Sequence, residues 1–274
     1  MVDESPREPV SVVADGGLPV PRLLERAAYA DREEWLESSR FTVDLLARVV
    51  GRDDLSEIEL LDIGCGTKVV KRLLDDSLPI GHYTGIDVSS DVIDWLKANV
   101  SDPRFEFHHF DAHNDLYNPQ GTPLAGFDLL PTGPVRFDLI SLFSVFTHLA
   151  PDDFVAMLRL LRRHIKPEGT LLFSLYLAEP EHPSPLVDAV RDGLNSDDPE
   201  VRARMAEAVE EARRHSEAAG HDPRFSDEIP GQPLMVARYQ RDYALELFEG
   251  TGWEIESIHP PERYIQHYIV CHPA

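Results

Sequence analysis

Short apolar runs alternate with stretches of helical period along most of this chain. The runs predict strands at 58–63, 82–87, 105–110, 137–142 and 170–176. The helical periods predict helices at 67–76, 90–99 and 152–165, the last stopped by Pro167, Glu168 and Gly169. Strands alternating with helices point to a parallel sheet covered on both faces. Towards the C-terminus the pattern resumes with a helix near 239–250, the turn Gly250-Thr251-Gly252, a strand at 253–258 and a last strand at 264–271. Ahead of the first strand, Leu23, Leu24, Ala27 and Ala28 mark one helical stretch, and Phe41, Val43, Leu45, Leu46 and Val49 mark another.

Two segments break the alternation. Residues 112–136 form a connection rich in Pro, Gly and Asn, longer than ordinary loops. Residues 178–237 form an insertion with Pro-rich ends and a charged helical middle over 199–219. Three units follow: a disordered tail at 1–20, a helical lid at 21–55, and an α/β domain at 56–274 carrying the insertion.

Composition narrows the partners. The chain has 274 residues and a formal charge of −23, so its bulk surface does not suit nucleic acid, which clustered Lys and Arg must grip. No apolar run approaches the roughly 18 residues of a membrane span. The N-terminus has neither the basic start nor the apolar core of a signal peptide, so a cytoplasmic location is expected. Two cysteines, Cys65 and Cys271, cannot build a disulfide framework or a zinc site alone.

The candidate chemistry is concentrated in Leu60-Leu61-Asp62-Ile63-Gly64-Cys65-Gly66-Thr67. An apolar strand ends in an acid and a glycine turn, and a helical pattern begins at Lys68. Such a turn lets backbone approach a nucleotide-like ligand closely. About twenty residues on, His82-Tyr83-Thr84-Gly85-Ile86-Asp87-Val88-Ser89 is a second strand ending in an acid. Asp62, Asp87 and Asp111 fall at the C-terminal ends of strands one to three, where ligands of open α/β sheets bind. Asp138 begins strand four, at the far end, and reads as structural. His108, His109 and His113 surround Asp111, but neighbouring strand residues face opposite ways, which disfavours a metal site. His148 follows strand four on the ligand side. It reads either as an anchor for the loop before Pro151 or as a general base on an acceptor hydroxyl.

From Glu59 to Cys271 this order resembles the class I S-adenosylmethionine-dependent methyltransferases. The resemblance implies a Rossmann-like, seven-stranded, mostly parallel sheet with an antiparallel last strand and helices on both faces. It implies S-adenosyl-L-methionine as cofactor and no metal. Asp62, Gly64, Cys65, Gly66 and Lys68 would hold its methionine end, and Asp87 and Val88 the ribose. Asp111 and Ala112, in Phe110-Asp111-Ala112, would meet the adenine. Ser144, in Ser144-Val145-Phe146-Thr147-His148-Leu149, would lie beneath the transferable methyl. Gly252-Trp253-Glu254-Ile255 and Tyr264-Ile265-Gln266-His267-Tyr268-Ile269-Val270 resemble the last two strands. Helices ahead of the sheet often cover the cofactor in resembling enzymes, which brings Arg40 towards its carboxylate. Arg202, Arg204, Arg213 and Arg214 read first as a solvated face of the insertion, which by position also covers the acceptor pocket. Where the family usually has a third glycine, this chain has Lys68. The lysine projects away, pairs with the cofactor's carboxylate, or narrows the pocket.

The expected function is methyl transfer to a small-molecule acceptor, with oxygen favoured. Phe143-Ser144-Val145-Phe146 stands where nitrogen-methylating relatives carry Asn or Asp, Pro, Pro and an aromatic. Two other classes stay open. One is a cofactor-binding regulatory or assembly protein without transferase activity. The other is a dinucleotide oxidoreductase, although Gly64-Cys65-Gly66-Thr67-Lys68-Val69 lacks the final glycine of that fingerprint. Acceptor identity and oligomeric state are not legible in the sequence.

Overall fold

The computed structural model describes residues 17–21, 32–178, 236–262 and 266–274, with shorter pieces between 195 and 234. The core strands are β1 (Leu55–Ile63), β2 (Ile80–Asp87), β3 (Phe105–His109), β4 (Phe137–Leu142) and β5 (Ile165–Ala178). They pair in parallel in the order β3-β2-β1-β4-β5. Two short strands follow, β6 (Phe225–Asp227) and β7 (Ala237–Gln240), then β8 (Trp253–His259) and β9 (His267–Pro273). β9 runs antiparallel beside Leu171–Leu175 of β5, and β8 lies antiparallel outside β9.

The sheet therefore has nine strands, not the seven expected. The additional pair arises where the insertion was placed. β5 continues beyond the part that pairs with β9, and Tyr176–Ala178 pair in parallel with β7. β6 closes this patch antiparallel to β7. Both strands are too short to leave a periodic signal. Of the charged helical middle expected at 199–219, the described residues 199–203 are helical.

The helices are α1 (Arg32–Val49), α2 (Lys68–Asp75), α3 (Ser90–Asn99), α4 (Pro151–Leu161) and α5 (Arg241–Glu246). The expected helix at 152–165 ends early. The chain turns at Arg162–His164, and β5 begins at Ile165 opposite Phe137. A buried histidine fixes that turn: His164 Nδ1 lies 3.0 Å from the Val135 carbonyl oxygen, and Nε2 accepts from the Leu130 N–H at 3.1 Å.

The central strands are apolar along their length because both faces are covered. Successive residues enter opposite cores. Leu60, Leu139 and Leu172 pack with Leu46, Val70 and Ile93. Leu61, Ile140 and Leu171 pack with Phe154, Phe248 and Trp253 on the other face. Leu18 and Val20 are buried in the first of these cores, in a segment where the sequence predicts a disordered tail. The Leu18 N–H donates to Asp75 Oδ1 at 2.5 Å, and Lys71 Nζ donates to the Leu18 carbonyl at 2.8 Å. The first helical stretch ahead of the sheet, marked by Leu23, Leu24, Ala27 and Ala28, lies outside the described residues.

Phe154 joins the sheet to the segment that covers it. Its ring centroid lies 4.6 Å from Phe146, 5.3 Å from Tyr239 and 5.9 Å from Phe248. Phe154→Ala removes a fully buried ring and is expected to cost about 3–5 kcal/mol in a urea titration. A loss below about 1 kcal/mol would contradict this packing.

Candidate active site

The β1 turn is built from backbone donors and two left-handed glycines. Gly64 has φ +66° and Gly66 has φ +48°, conformations that a side chain strains. The N–H groups of Gly64 and Cys65 donate to the Ile86 carbonyl at 2.7 and 3.1 Å, which ties the turn to the end of β2. A Cβ on Gly64 would stand 2.5 Å from Val145 Cγ2, so the loop after β4 packs directly on the turn. A Cβ on Gly66 would meet nothing within 4 Å.

Asp62 and Lys68 supply opposite charges beneath this turn. Asp62 is buried. Its Oδ2 accepts from the Tyr83 hydroxyl on β2 and its Oδ1 from the Ser141 hydroxyl on β4, both at 2.7 Å. Burial raises its carboxyl to about 6, against the lowering effect of these hydroxyls and of Lys68. Burial also lowers the Lys68 ammonium to about 8, and Asp62 opposes that shift. Ionising Asp62 thus weakens folding as pH rises from 3.8 to about 6. Protonating Lys68 weakens it as pH falls from 10.5 to about 8. Between about 6 and 8 both are charged, and their attraction offsets part of the two costs.

Asp87 ends β2 with both oxygens aimed at backbone. Oδ2 accepts from the Gly66 N–H at 3.0 Å and Oδ1 from the Ser89 N–H at 2.9 Å. A carboxylate offers about four acceptor sites over its two oxygens, the chemistry that two adjacent hydroxyls call for.

These groups open on a cavity of about 820 Å³ across the C-terminal ends of β1, β2, β4 and β5. That is near the top of the range of about 300–1,000 Å³ for small-molecule sites. Asp62, Gly64, Cys65, Gly66, Lys68, Asp87, Val88, Ala112, Ser144 and His148 all line it. Two expected residues do not. Asp111 is exposed, and its Oδ1 accepts from Asn118 Nδ2 at 3.0 Å. The extended backbone there turns Phe110 and Ala112 inward and Asp111 outward. Arg40 is exposed on α1, which presents Trp35 and Thr42 to the cavity instead.

Of the other expected residues, Asp138 serves structure. Its carboxylate accepts from the Glu59 N–H at 2.9 Å and from Lys166 Nζ at 3.0 Å. His108 meets Glu106 at 2.9 Å and His109 Nε2 lies 3.1 Å from the Val88 carbonyl oxygen, while His113 lines the cavity. His148 is held on more than one side. Its Nδ1 lies 2.9 Å from the Leu234 carbonyl oxygen, its ring meets Tyr117 edge-on at 5.4 Å, and its own carbonyl accepts from Asn114 Nδ2 at 3.2 Å. The carbonyl contact places the proton on Nδ1 and makes Nε2 the acceptor nitrogen.

The sequence reading missed Thr42, Tyr117, Tyr176 and Gln266 in the cavity wall. Tyr117 and Tyr176 lie where long connections begin, and Gln266 directly precedes β9. Its position directly before the last strand was the one usable signal for Gln266.

An acid-ended second strand, a glycine turn beneath it and an antiparallel last strand define the class I S-adenosylmethionine-dependent methyltransferase fold. A family model described as a methyltransferase domain matches residues 31–229, and the chain belongs to that family. Among curated proteins, a malonyl-[acyl-carrier protein] O-methyltransferase of Acetivibrio thermocellus is 24% identical over 124 residues. That match covers 45% of this chain and only 38% of the relative's length. Among solved structures, the mitomycin 7-O-methyltransferase MmcR aligns with TM-score 0.52 at 15% identity, over 92% of this chain and 60% of its own. The magnesium protoporphyrin IX methyltransferase ChlM of Synechocystis PCC 6803, with bound SAH, aligns with TM-score 0.51 at 13% identity, over 92% of both chains. At such identities the likeness is one of fold.

The cofactor of this class is S-adenosylmethionine, and the cavity wall fits it. Gly66 faces open space in the wall, so backbone can approach a ligand there. The buried Thr147 hydroxyl in the same wall has no hydrogen-bond partner among the described residues, and a ligand acceptor or donor would satisfy it.

Lys68 gives the test of this fit. With its ammonium facing the cofactor's carboxylate, affinity for S-adenosylhomocysteine is expected to fall as pH rises through about 8. Calorimetry from pH 6.5 to 9.5 reads this, and Lys68→Met should flatten the profile. A wild-type affinity that does not change over this range would show that Lys68 does not read the carboxylate.

Proposed function

We propose that this protein transfers the methyl group of S-adenosylmethionine to a hydroxyl oxygen of a small molecule. The observation that carries the reading is the Asp87 carboxylate, fixed by Gly66 and Ser89 at the edge of a cavity of about 820 Å³ that the glycine turn also lines. The O-methyltransferase names of the fold relative MmcR and of the Acetivibrio enzyme support oxygen as the acceptor atom, and in the second the named malonyl group offers a carboxylate oxygen.

In this reading Asp87 receives the ribose hydroxyls, and Val88 and Ala112 border the adenine. Gly64, Cys65 and Gly66 pass backbone close to the amino-acid tail, with Lys68 opposite its carboxylate and Asp62 setting the charge of Lys68. When bound, the cofactor supplies a sulfonium-activated methyl group, and transfer to oxygen breaks a C–S bond, forms a C–O bond and releases one proton. The protein's part is to align donor and acceptor and exclude water. We read His148 as an anchor of the loop, through its Nδ1 contact with the Leu234 carbonyl and its ring contact with Tyr117. The proton then leaves to solvent.

Turnover with isotopically labelled S-adenosylmethionine and a broad panel of hydroxylated acceptors tests the reading, beside calorimetry with S-adenosylhomocysteine. We expect binding and transfer. Asp87→Asn should weaken binding at least about tenfold, since hydrogen bonds to a charged acceptor are worth about 1.5–3 kcal/mol. Binding without transfer to any acceptor would favour a regulatory protein, and affinity for NAD alone would favour an oxidoreductase. His148→Gln should leave the pH profile of kcat unchanged; loss of a limb near neutral pH would restore it as the base.

A further inference from the structure

The cavity has two chemically different ends. Its acids and its ammonium, Asp62, Lys68 and Asp87, lie on the β1 turn and at the end of β2; His113 follows β3, and His148 follows β4 on a segment that packs against β5. The opposite wall comes from α1, the end of β4, β5 and the entry to β9. Its described lining residues are Trp35, Thr42, Phe143, Ser144, Tyr176, Gln266 and Tyr268, and none is an acid or an amine. Four of these are aromatic. Phe143 and Tyr268 meet at 6.3 Å between centroids, nearly edge to face at 63°.

One polar couple interrupts the aromatic wall. Ser144 has φ +56°, a strained conformation for a residue with a side chain. The Ser174 hydroxyl accepts its N–H at 2.8 Å and holds that conformation. The Ser144 hydroxyl is thereby brought to Gln266, whose Nε2 donates to Oγ at 3.0 Å. Aromatic faces bind planar rings by offset or edge-on contact, and an amide–hydroxyl couple orients one neutral polar group. A wall whose described residues offer no countercharge penalises an ionised ligand.

Resting on the methyltransferase reading above, the geometry points to an uncharged aromatic hydroxyl compound as acceptor. With adenosine over β2 and the amino-acid tail over the β1 turn, the wall of α1, β4, β5 and β9 is the part of the cavity left for it. Its ring lies against Trp35, Phe143, Tyr176 and Tyr268. Its hydroxyl is held by Ser144 and Gln266, which makes Gln266 a positioning residue for the acceptor.

The full-length protein is first titrated with S-adenosylhomocysteine by calorimetry. Saturated with it, the protein is then titrated with 1-naphthol, naphthalene, 1-naphthoate and 1-naphthylmethylammonium. We expect 1-naphthol to bind at least about tenfold more tightly than either ion, and Gln266→Leu to weaken 1-naphthol about tenfold, one hydrogen bond's worth. The same variant should leave naphthalene and S-adenosylhomocysteine affinities within about twofold. A structural role for Gln266 would weaken all three together and would overturn its assignment. S-adenosylhomocysteine binding without 1-naphthol binding, or equal binding of the ions, overturns the acceptor class and leaves the cofactor reading intact. Failure of S-adenosylhomocysteine to bind overturns both.

Discussion

The buried carboxylate of Asp62 is the constraint on which the site depends. One oxygen takes the Tyr83 hydroxyl from β2 and the other the Ser141 hydroxyl from β4, so three adjacent strands meet at one group. A carboxylate removed from water needs such partners, and here the partners fix where β1 stops relative to its neighbours. The register follows: Asp62 stands opposite Gly85 on one side and Ser141 on the other. The glycine turn then leaves β1 at the level where Ile86 and Asp87 can receive its N–H groups.

The central sheet was legible because its signals are local and dense. Predicted runs of about six or seven residues with intervening helical periods leave little choice of architecture, and strands such as Phe137–Leu142 have the bounds the pattern predicts. β6 and β7 were not legible. They are three and four residues long; β7 exists because β5 extends far enough to pair with it, and β6 pairs in turn with β7. No local preference encodes that pairing. The burial of Leu18 and Val20 was hidden for a related reason: a two-residue apolar alternation is too short to stand out from its Gly- and acid-rich surroundings.

The site was legible in its strand-end residues and less so in its far wall. Asp62, Gly64, Gly66 and Asp87 carry their role in their position after a strand. Asp111 shows the limit of that logic. It occupies the right position at the end of β3, yet the alternation of side chains directs it to Asn118 and solvent. Ser144 and Gln266 are 122 residues apart in sequence and meet only because β9 returns beside β5.

The two partners of β5 separate the molecule into parts with different freedom to change. Its first stretch is locked between β4 and β9, and its last three paired residues carry β7 out over the ligand cavity. Tyr239 on β7 reaches down to the Leu149 carbonyl, so this patch is tied to the loop after β4 as well as to β5. On the proposed function, the cavity-facing Tyr176 and Val236 can change under selection for a different acceptor while the glycine turn that holds the methyl donor is kept. In such a fold new chemistry is acquired by editing the cover, and the foundations need not be rebuilt.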